Sequence, residues 1–266
     1  MVRPLRVNVS GAIYHVMSRG NARQEVFLHD DDRRQFLKLL AGALRRFGVR
    51  CDAYCLMPNH FHLVLRIGES TLGRTMQQLN SAYAGWFNRR HQRVGHLFQG
   101  RFKAPMIEDG SYFHRAVRYV VQNPVRAGLC ARCGDWEWSS YRATAGLATP
   151  QSWLSVEDVW QAFGDDADAA CRAFAEYCER QDEAPAGPTP VAPLMFGSAE
   201  ALTRLSEVLT PNRSHREFVY AEPGKAIQRG AAMQAHCGRC HASSRAHDWV
   251  FRSYAQSADA ASATRP

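Results

Sequence analysis

The sequence has no run approaching the roughly 18 consecutive apolar residues of a membrane helix, and it does not begin with a basic segment followed by an apolar one. Neither a spanning helix nor a secretory signal is therefore expected, and the chain reads as soluble and cytoplasmic. Cysteine is too sparse for a disulfide framework. Eight thiols scattered over 266 residues suit a reducing compartment rather than a stapled secreted fold. No internal repeat is visible, which argues against a solenoid or propeller.

What is present is positive charge, unevenly placed. Residues 1–145 carry 22 Lys+Arg against 10 Asp+Glu, a net of +12, and the remainder carries 11 against 15, a net of −4. A polyanion is the obvious partner for the first half, although a merely soluble basic protein has the same composition. The length allows one domain of about 150 residues with an appendage.

Hydropathy patterning supplies the order of elements. Ala12–Arg19 is rich in β-formers after Gly11 and predicts a strand. Asp30–Phe47 predicts a helix, with acidic residues in its first turn, an apolar stripe through Phe36, Leu40 and Leu44, and Gly48 at its end. Val49–Met57 and His60–Ile67 predict two strands joined by the Pro58-Asn59 turn. A second helix is expected over Thr71–Arg90, an edge strand over Ala104–Glu108 on account of Pro105, and a third helix over Ser111–Asn123. The order β-α-β-β-α-β predicts an α+β fold: a ferredoxin-like, split βαβ antiparallel sheet with helices on one face. An appended helical region follows it.

Four regions are expected. Residues 1–147 form the principal domain, and 148–183 a small helical extension in which Ser155 and Asp158 resemble a capping box opening a helix over Val156–Phe163. Residues 184–195 form a Pro/Ala linker, and 196–266 a helical segment with a tail of disordered composition.

The sharpest motif is Met57-Pro58-Asn59-His60-Phe61-His62-Leu63-Val64-Leu65. Side chains alternate along a strand, so His60 and His62 share one face while Phe61, Leu63 and Leu65 share the other. Two adjacent imidazoles can hold a divalent cation. A bare H-x-H also occurs by chance on solvated sheet faces, and two ligands do not complete a catalytic site.

The third helix can supply more. Phe113, Val117, Val120 and Val121 form its apolar stripe, and Tyr119 lies roughly opposite with Asn123 one turn on. A tyrosine there can attack phosphorus while the Asn123 amide oxygen serves as third ligand. Spacing leaves alternatives: Tyr112 shares the Tyr119 face two turns earlier, and Asn123, before Pro124, can simply end the helix.

A further segment interleaves cations and rings. Arg89, Arg90, Arg93, Phe98, Arg101 and Lys103 suit single-stranded DNA, with cations on phosphates and rings on unpaired bases. The opposing reading is a helix end followed by a turn whose phenylalanines belong to the core. Two cysteine pairs stand apart. Cys237-Gly238-Arg239-Cys240-His241 matches the C-x-x-C-H haem pattern, and Cys130 with Cys133 could join it as a zinc site. The long gap between them, and the absence of an export signal, make both chance pairs.

Taken together, several segments resemble the HUH single-tyrosine transposases, and in particular the branch of REP-associated tyrosine transposases. They are Gly11-Ala12-Ile13-Tyr14-His15-Val16 through Arg19-Gly20-Asn21, Met57 to His62, and Gly95-His96-Leu97-Phe98-Gln99-Gly100-Arg101-Phe102. Arg118-Tyr119 through Asn123-Pro124-Val125-Arg126-Ala127-Gly128 and Trp138-Ser139-Ser140-Tyr141 complete the set. The resemblance spans about half of the chain, in order. It implies a metal-dependent (Mg²⁺ or Mn²⁺) enzyme that cleaves and rejoins single-stranded or hairpin DNA through a 5′-phosphotyrosine. Tyr119 is then the nucleophile, with His60, His62 and Asn123 as metal ligands. It further implies DNA as partner, extragenic palindromic repeats included, and a place at the bacterial nucleoid. Two imidazoles suit Mn²⁺ better than Mg²⁺, which prefers oxygen. The competing functions are a catalytically idle protein that grips palindromic DNA, and a hydrolase of small phosphoesters.

Overall fold

The structure, a computed structural model, describes residues 9–68, 72–108, 110–180, 190–192 and 195–196. One compact unit spans 8–182. In it, β1 (Ile13–Arg19), α1 (Asp30–Phe47), β2 (Arg50–Met57), β3 (His60–Arg66), α2 (Leu72–Arg90), β4 (Met106–Ile107) and α3 (Ser111–Arg126) follow in the expected order. The strands lie side by side as β2-β3-β1-β4, all antiparallel neighbours. This is the ferredoxin-like α+β arrangement.

β1 and β3 are buried along almost their whole length, because both faces of the sheet are covered. α1 and α2 share one face. Phe36 of α1 meets Phe61 at 4.7 Å between ring centroids and Tyr83 of α2 at 5.1 Å. On the other face, α3 packs on β2 and β3. The one-residue alternation of β3 decides which side chain goes where: Phe61 toward α1 and α2, His60 and His62 toward α3.

α1 begins where the sequence pattern places it. The N–H groups of Leu28 and His29 donate to the buried Asp32 carboxylate (2.8 and 2.9 Å), and His91 at the end of α2 contacts its other oxygen at 2.9 Å. One carboxylate thus caps α1 and ties it to α2.

The segment after β1 shows why its glycine is needed. A Cβ on Gly20 would lie 2.0 Å from the Gln24 carbonyl oxygen. The Gly20 N–H donates to the Asn59 carbonyl (2.8 Å), and those of Val26 and Phe27 to that of Pro58 (2.9 and 3.1 Å). The Pro58-Asn59 turn is therefore clamped by residues 20–27, which fixes the strand that carries the histidines. Backbone bonds from Asn21 to Leu97 and from Gln99 to Arg19 (both 2.8 Å) dock the glycine-punctuated segment onto the same place.

Three expectations need correction. The regular strand near Pro105 covers Met106–Ile107 only; proline has no N–H for the ladder, although its carbonyl accepts from His15 N (2.9 Å) and Lys103 pairs with Met17. The third helix does not end at Asn123 but runs through Pro124 to Arg126. Proline deprives the Val120 carbonyl of its helical donor, and the Asn123 amide substitutes, donating to the carbonyls of Tyr119 (2.8 Å) and Val120 (3.4 Å). The helix expected over Val156–Phe163 is one turn, Glu157–Trp160, with no side-chain cap. Asp158 is instead bound to Arg50 of β2.

Residues 148–180, which the sequence pattern presents as an extension, lie within the compact unit. After α4 (Tyr141–Thr144) and the single turn α5 (Glu157–Trp160), α6 (Ala167–Glu179) is capped by Asp166, whose carboxylate accepts from Ala169 N (2.7 Å). It packs on α3, where Gln122 donates to the Cys178 carbonyl (2.6 Å) and Arg118 to that of Arg180 (2.7 Å). The Trp138-Ser139-Ser140-Tyr141 motif lies along β2, with Leu56 N donating to Trp138 O (2.8 Å) and Ser140 N to Tyr54 O (2.9 Å). This covers a sheet edge that would otherwise expose a row of backbone groups. In the linker region a second unit contributes two short strands, β5 (Pro190–Ala192) and β6 (Met195–Phe196), paired with each other. The helix and tail expected beyond residue 196, with Cys237 and Cys240, lie outside the described residues.

Gly20→Ala should destabilise the unit by about 1–3 kcal/mol, the usual cost of forcing an extra carbon into a packed site, read as a shift of the urea midpoint. An alanine variant as stable as the parent would contradict the clamp.

Candidate active site

β1 and β3 bring the central residues together. Their register sets Met17 opposite His62 and Arg19 opposite His60, so His15, His60 and His62 all face α3. The His60 and His62 ring centroids are 4.9 Å apart, and the His15 ring stacks on His62 at 5.0 Å with Nε2 2.8 Å from His62 Nδ1. Tyr119 comes down from α3 edge-on to both, at 5.7 Å from His15 and 6.0 Å from His62. The Arg126 guanidinium lies 5.3 Å over the Tyr119 ring.

The site is more enclosed than the alternating pattern implies. His60 is 8 %, His62 0 % and Tyr119 4 % exposed. Helical spacing alone sets Tyr119 opposite the buried stripe and free of packing. α3 is instead buried around most of its girth, because the sheet lies on one side of it and α6 on another. Tyr112 is half-buried at the start of the helix, where Arg115 lies 5.2 Å over its ring. The ring contacts that join the histidines belong to Tyr119.

Burial also decides the charge of the cluster. Desolvation, and secondarily the Arg19 charge, push the His60 imidazole down to about 3. Desolvation pushes His15 down to about 4. His62 falls well below its ordinary value through burial first, then through His60, His15 and Arg19. Neutral imidazoles are Lewis bases, the form a metal requires.

The residues fit a divalent cation. His62 Nε2 is buried and has no hydrogen-bond partner among the described residues, an unsatisfied acceptor of the kind a cation would complete. His60 Nδ1 is held 2.6 Å from Asn59 Oδ1, so Nε2 is the nitrogen that could meet a cation. Among the described residues no three of the His, Cys, Asp and Glu side chains are grouped as a metal site, so a third ligand has to be of another kind. Asn123 lies one turn after Tyr119 with its NH₂ turned back to the helix, so its carbonyl oxygen is the end that could meet a cation.

The expected DNA-contacting residues divide. Arg89, Arg90, Arg101 and Lys103 are exposed and Arg93 is half-buried. Arg90 is paired with Asp31 at 3.1 Å and lies 3.6 Å from Asp32, and Arg93 donates to Gln24 and covers Phe87. Phe98 is half-buried, and its ring packs on Phe61 (5.9 Å) and Tyr83 (6.3 Å).

Known proteins similar to this chain are transposases by description. The family model described as "Transposase IS200 like" matches residues 8–123. A Haemophilus influenzae protein assigned as a REP-associated tyrosine transposase is 25 % identical over 125 residues, covering 40 % of this chain and 68 % of its own. Among solved structures, a REP-associated tyrosine transposase bound to a REP hairpin is similar at 17 % identity and TM-score 0.48. The match covers 58 % of this chain and 98 % of that one. A protein of Deinococcus radiodurans assigned as a transposase is similar at 17 % identity and TM-score 0.33, over 46 % and 97 %. Two residues of this cluster escape sequence reasoning. His15 is signalled only by its place in the Gly11–Val16 motif. Arg126 lies two turns after Tyr119, beyond a proline that conceals the continuation of the helix.

Unfolded histidines take up a proton near pH 6.5, whereas folded His15 and His60 do so only near 4 and 3. The unfolded state therefore binds more protons in between, and stability should fall as pH drops from about 6.5 toward 4. The expected slope is on the order of 1 kcal/mol per pH unit for each histidine. Urea unfolding with chelator present at pH 7.5, 6 and 5 measures it, and His60→Gln should flatten the slope. A slope of zero would contradict the burial of neutral rings.

Proposed function

We propose that this chain is a metal-dependent DNA strand transferase that cleaves and rejoins single-stranded or hairpin DNA, such as extragenic palindromes, through a 5′-phosphotyrosine at Tyr119. The observation that carries this reading is the meeting of Tyr119 with His62 and His15, from a helix and two strands far apart in sequence. The match of residues 8–123 to the IS200-like transposase model and the basic first half support the same substrate.

The Tyr119 hydroxyl oxygen attacks phosphorus and loses its proton. A P–O bond forms to the tyrosine while the bond to the 3′-oxygen breaks, and that oxygen leaves as a hydroxyl once protonated. Attack by a 3′-hydroxyl on the phosphotyrosine reverses these steps, so rejoining needs no ATP. A divalent cation held by His60, His62 and Asn123 supplies Lewis-acid polarisation of the phosphate and charge stabilisation. The chain's own residues orient the reaction. The hairpin clamp fixes His60 and His62, the ring contacts place Tyr119, and Arg126 over that ring is positioned to meet a phosphate approaching the hydroxyl. Of Mg²⁺ and Mn²⁺, two imidazoles and an amide suit Mn²⁺ better.

The burial of Tyr119 favours one competing reading, a protein that grips palindromic DNA without chemistry. A labelled hairpin oligonucleotide with Mn²⁺ separates the two. The parent should form a denaturation-resistant protein–DNA adduct, Tyr119→Phe should form none while still binding DNA, and Tyr112→Phe should retain it. DNA binding without adduct in the parent would establish the idle protein, and cleavage without adduct a water nucleophile.

The exposed cations give a separate expectation. Replacing Arg89, Arg101 and Lys103 by alanine should lower the slope of log affinity against log salt by about 0.7 for each phosphate left without its cation. Replacing Arg90 and Arg93 should change stability more than that slope. An unchanged slope in the triple variant would place the DNA elsewhere.

A further inference from the structure

Resting on the reading of His60, His62 and Tyr119 as the catalytic site, we propose that His15 is a positioning residue. Its Nε2 accepts the Nδ1–H of His62 and so turns the unprotonated Nε2 of His62 toward the cation, while the same ring sets the place of Tyr119.

His15 lies in the middle of β1 and is 0 % exposed. The β1–β3 register pairs it with Val64, which makes it the diagonal neighbour of His62 on the face turned to α3. The rings stack at 5.0 Å with 24° between their planes, and the nitrogens are 2.8 Å apart. Those nitrogens share one hydrogen, so two arrangements exist. If His15 donates, the neutral His62 ring carries its own proton on Nε2 and offers a cation no lone pair there. If His62 donates from Nδ1, its Nε2 presents a lone pair instead, the arrangement a metal ligand needs. A partner on the second ring nitrogen is the usual device for fixing the tautomer and orientation of a ligating histidine.

The second contact gives His15 a further role. Its ring also meets Tyr119 edge-on, at 5.7 Å and 75°. One side chain on β1 thus touches the proposed ligand and the proposed nucleophile, and holds their separation. An aliphatic residue of similar bulk could fill the space but could not select the tautomer.

The test uses the full chain. In metal-free, ¹⁵N-labelled protein, ring-nitrogen NMR reads the His62 tautomer, assigned by comparison with His62→Gln. The expected result is a proton on Nδ1, against the Nε2–H form that free neutral imidazole prefers. In His15→Leu that signature should revert to Nε2–H, and Mn²⁺ affinity measured calorimetrically should fall about 10–100-fold with an unchanged circular dichroism spectrum. His15→Gln, whose carbonyl oxygen can accept from nearly the same position, should recover affinity to within a few-fold of the parent.

A parent His62 protonated on Nε2 overturns the proposal, and so does undiminished Mn²⁺ affinity in His15→Leu. Equal loss in the Gln and Leu variants would make the role one of packing and overturns it too. If His15→Leu does not fold, the parent tautomer and the Gln variant still decide. The expected tautomer in a parent that binds no Mn²⁺ would refute the metal site of the proposed function while upholding the orientation of His62 by His15.

Discussion

The antiparallel register of β1 on β3 is the constraint on which the rest of this domain depends. It places His15 diagonal to His62 and Arg19 opposite His60, and a slip of one residue would send His60 and His62 into the apolar face against α1 and α2. Phe61 resists that slip. Its ring lies between Phe36 and Phe98 on the opposite face, so the same alternation that buries a phenylalanine aims two imidazoles. The Pro58-Asn59 turn, held by Gly20, Val26 and Phe27, pins one end of the register.

The site is built inside the fold rather than on its surface, and this shapes its chemistry. Burial keeps the histidines neutral, the form in which an imidazole can offer a lone pair to a cation. The same burial packs Tyr119 into a cluster of rings whose geometry is fixed before any substrate arrives, the preorganisation a displacement at phosphorus requires. Arg19 and Arg126 bring positive charge to the edges of the cluster.

Much of the scaffold is legible in the sequence because it rests on local signals. α1 has its acidic first turn and its terminal glycine, and the β2–β3 hairpin has its proline–asparagine turn between alternating strands. The histidine pair and Tyr119 are legible as types at the right spacing. What escapes is whatever depends on packing at long range. The segment 148–180 looks like an appendage because its charge turns acidic after the basic first half, yet Phe174 and Val159 are buried in the same unit. The true end of α3 is hidden by Pro124, because the side-chain bonds of Asn123 that bridge the gap leave no trace in the sequence pattern. The cation segment reads as one surface, but Asp31, Asp32 and Gln24 take up part of it, and those partners lie some 60–70 residues away. His15 gives no local sign of function, since one histidine in a buried strand is usually packing.

The central claim, that Tyr119 is joined covalently to DNA at a site assembled by His60, His62 and Asn123, is most directly tested by peptide mapping. The protein is incubated with hairpin DNA and Mn²⁺, digested with nuclease and trypsin, and the nucleotide-bearing peptide is sequenced by mass spectrometry. The account predicts a single modified residue, Tyr119, bearing a 5′-phosphate-linked nucleotide, formed only when a divalent cation is present. Modification at Tyr112, or DNA cleaved with no modified tyrosine at all, would contradict it.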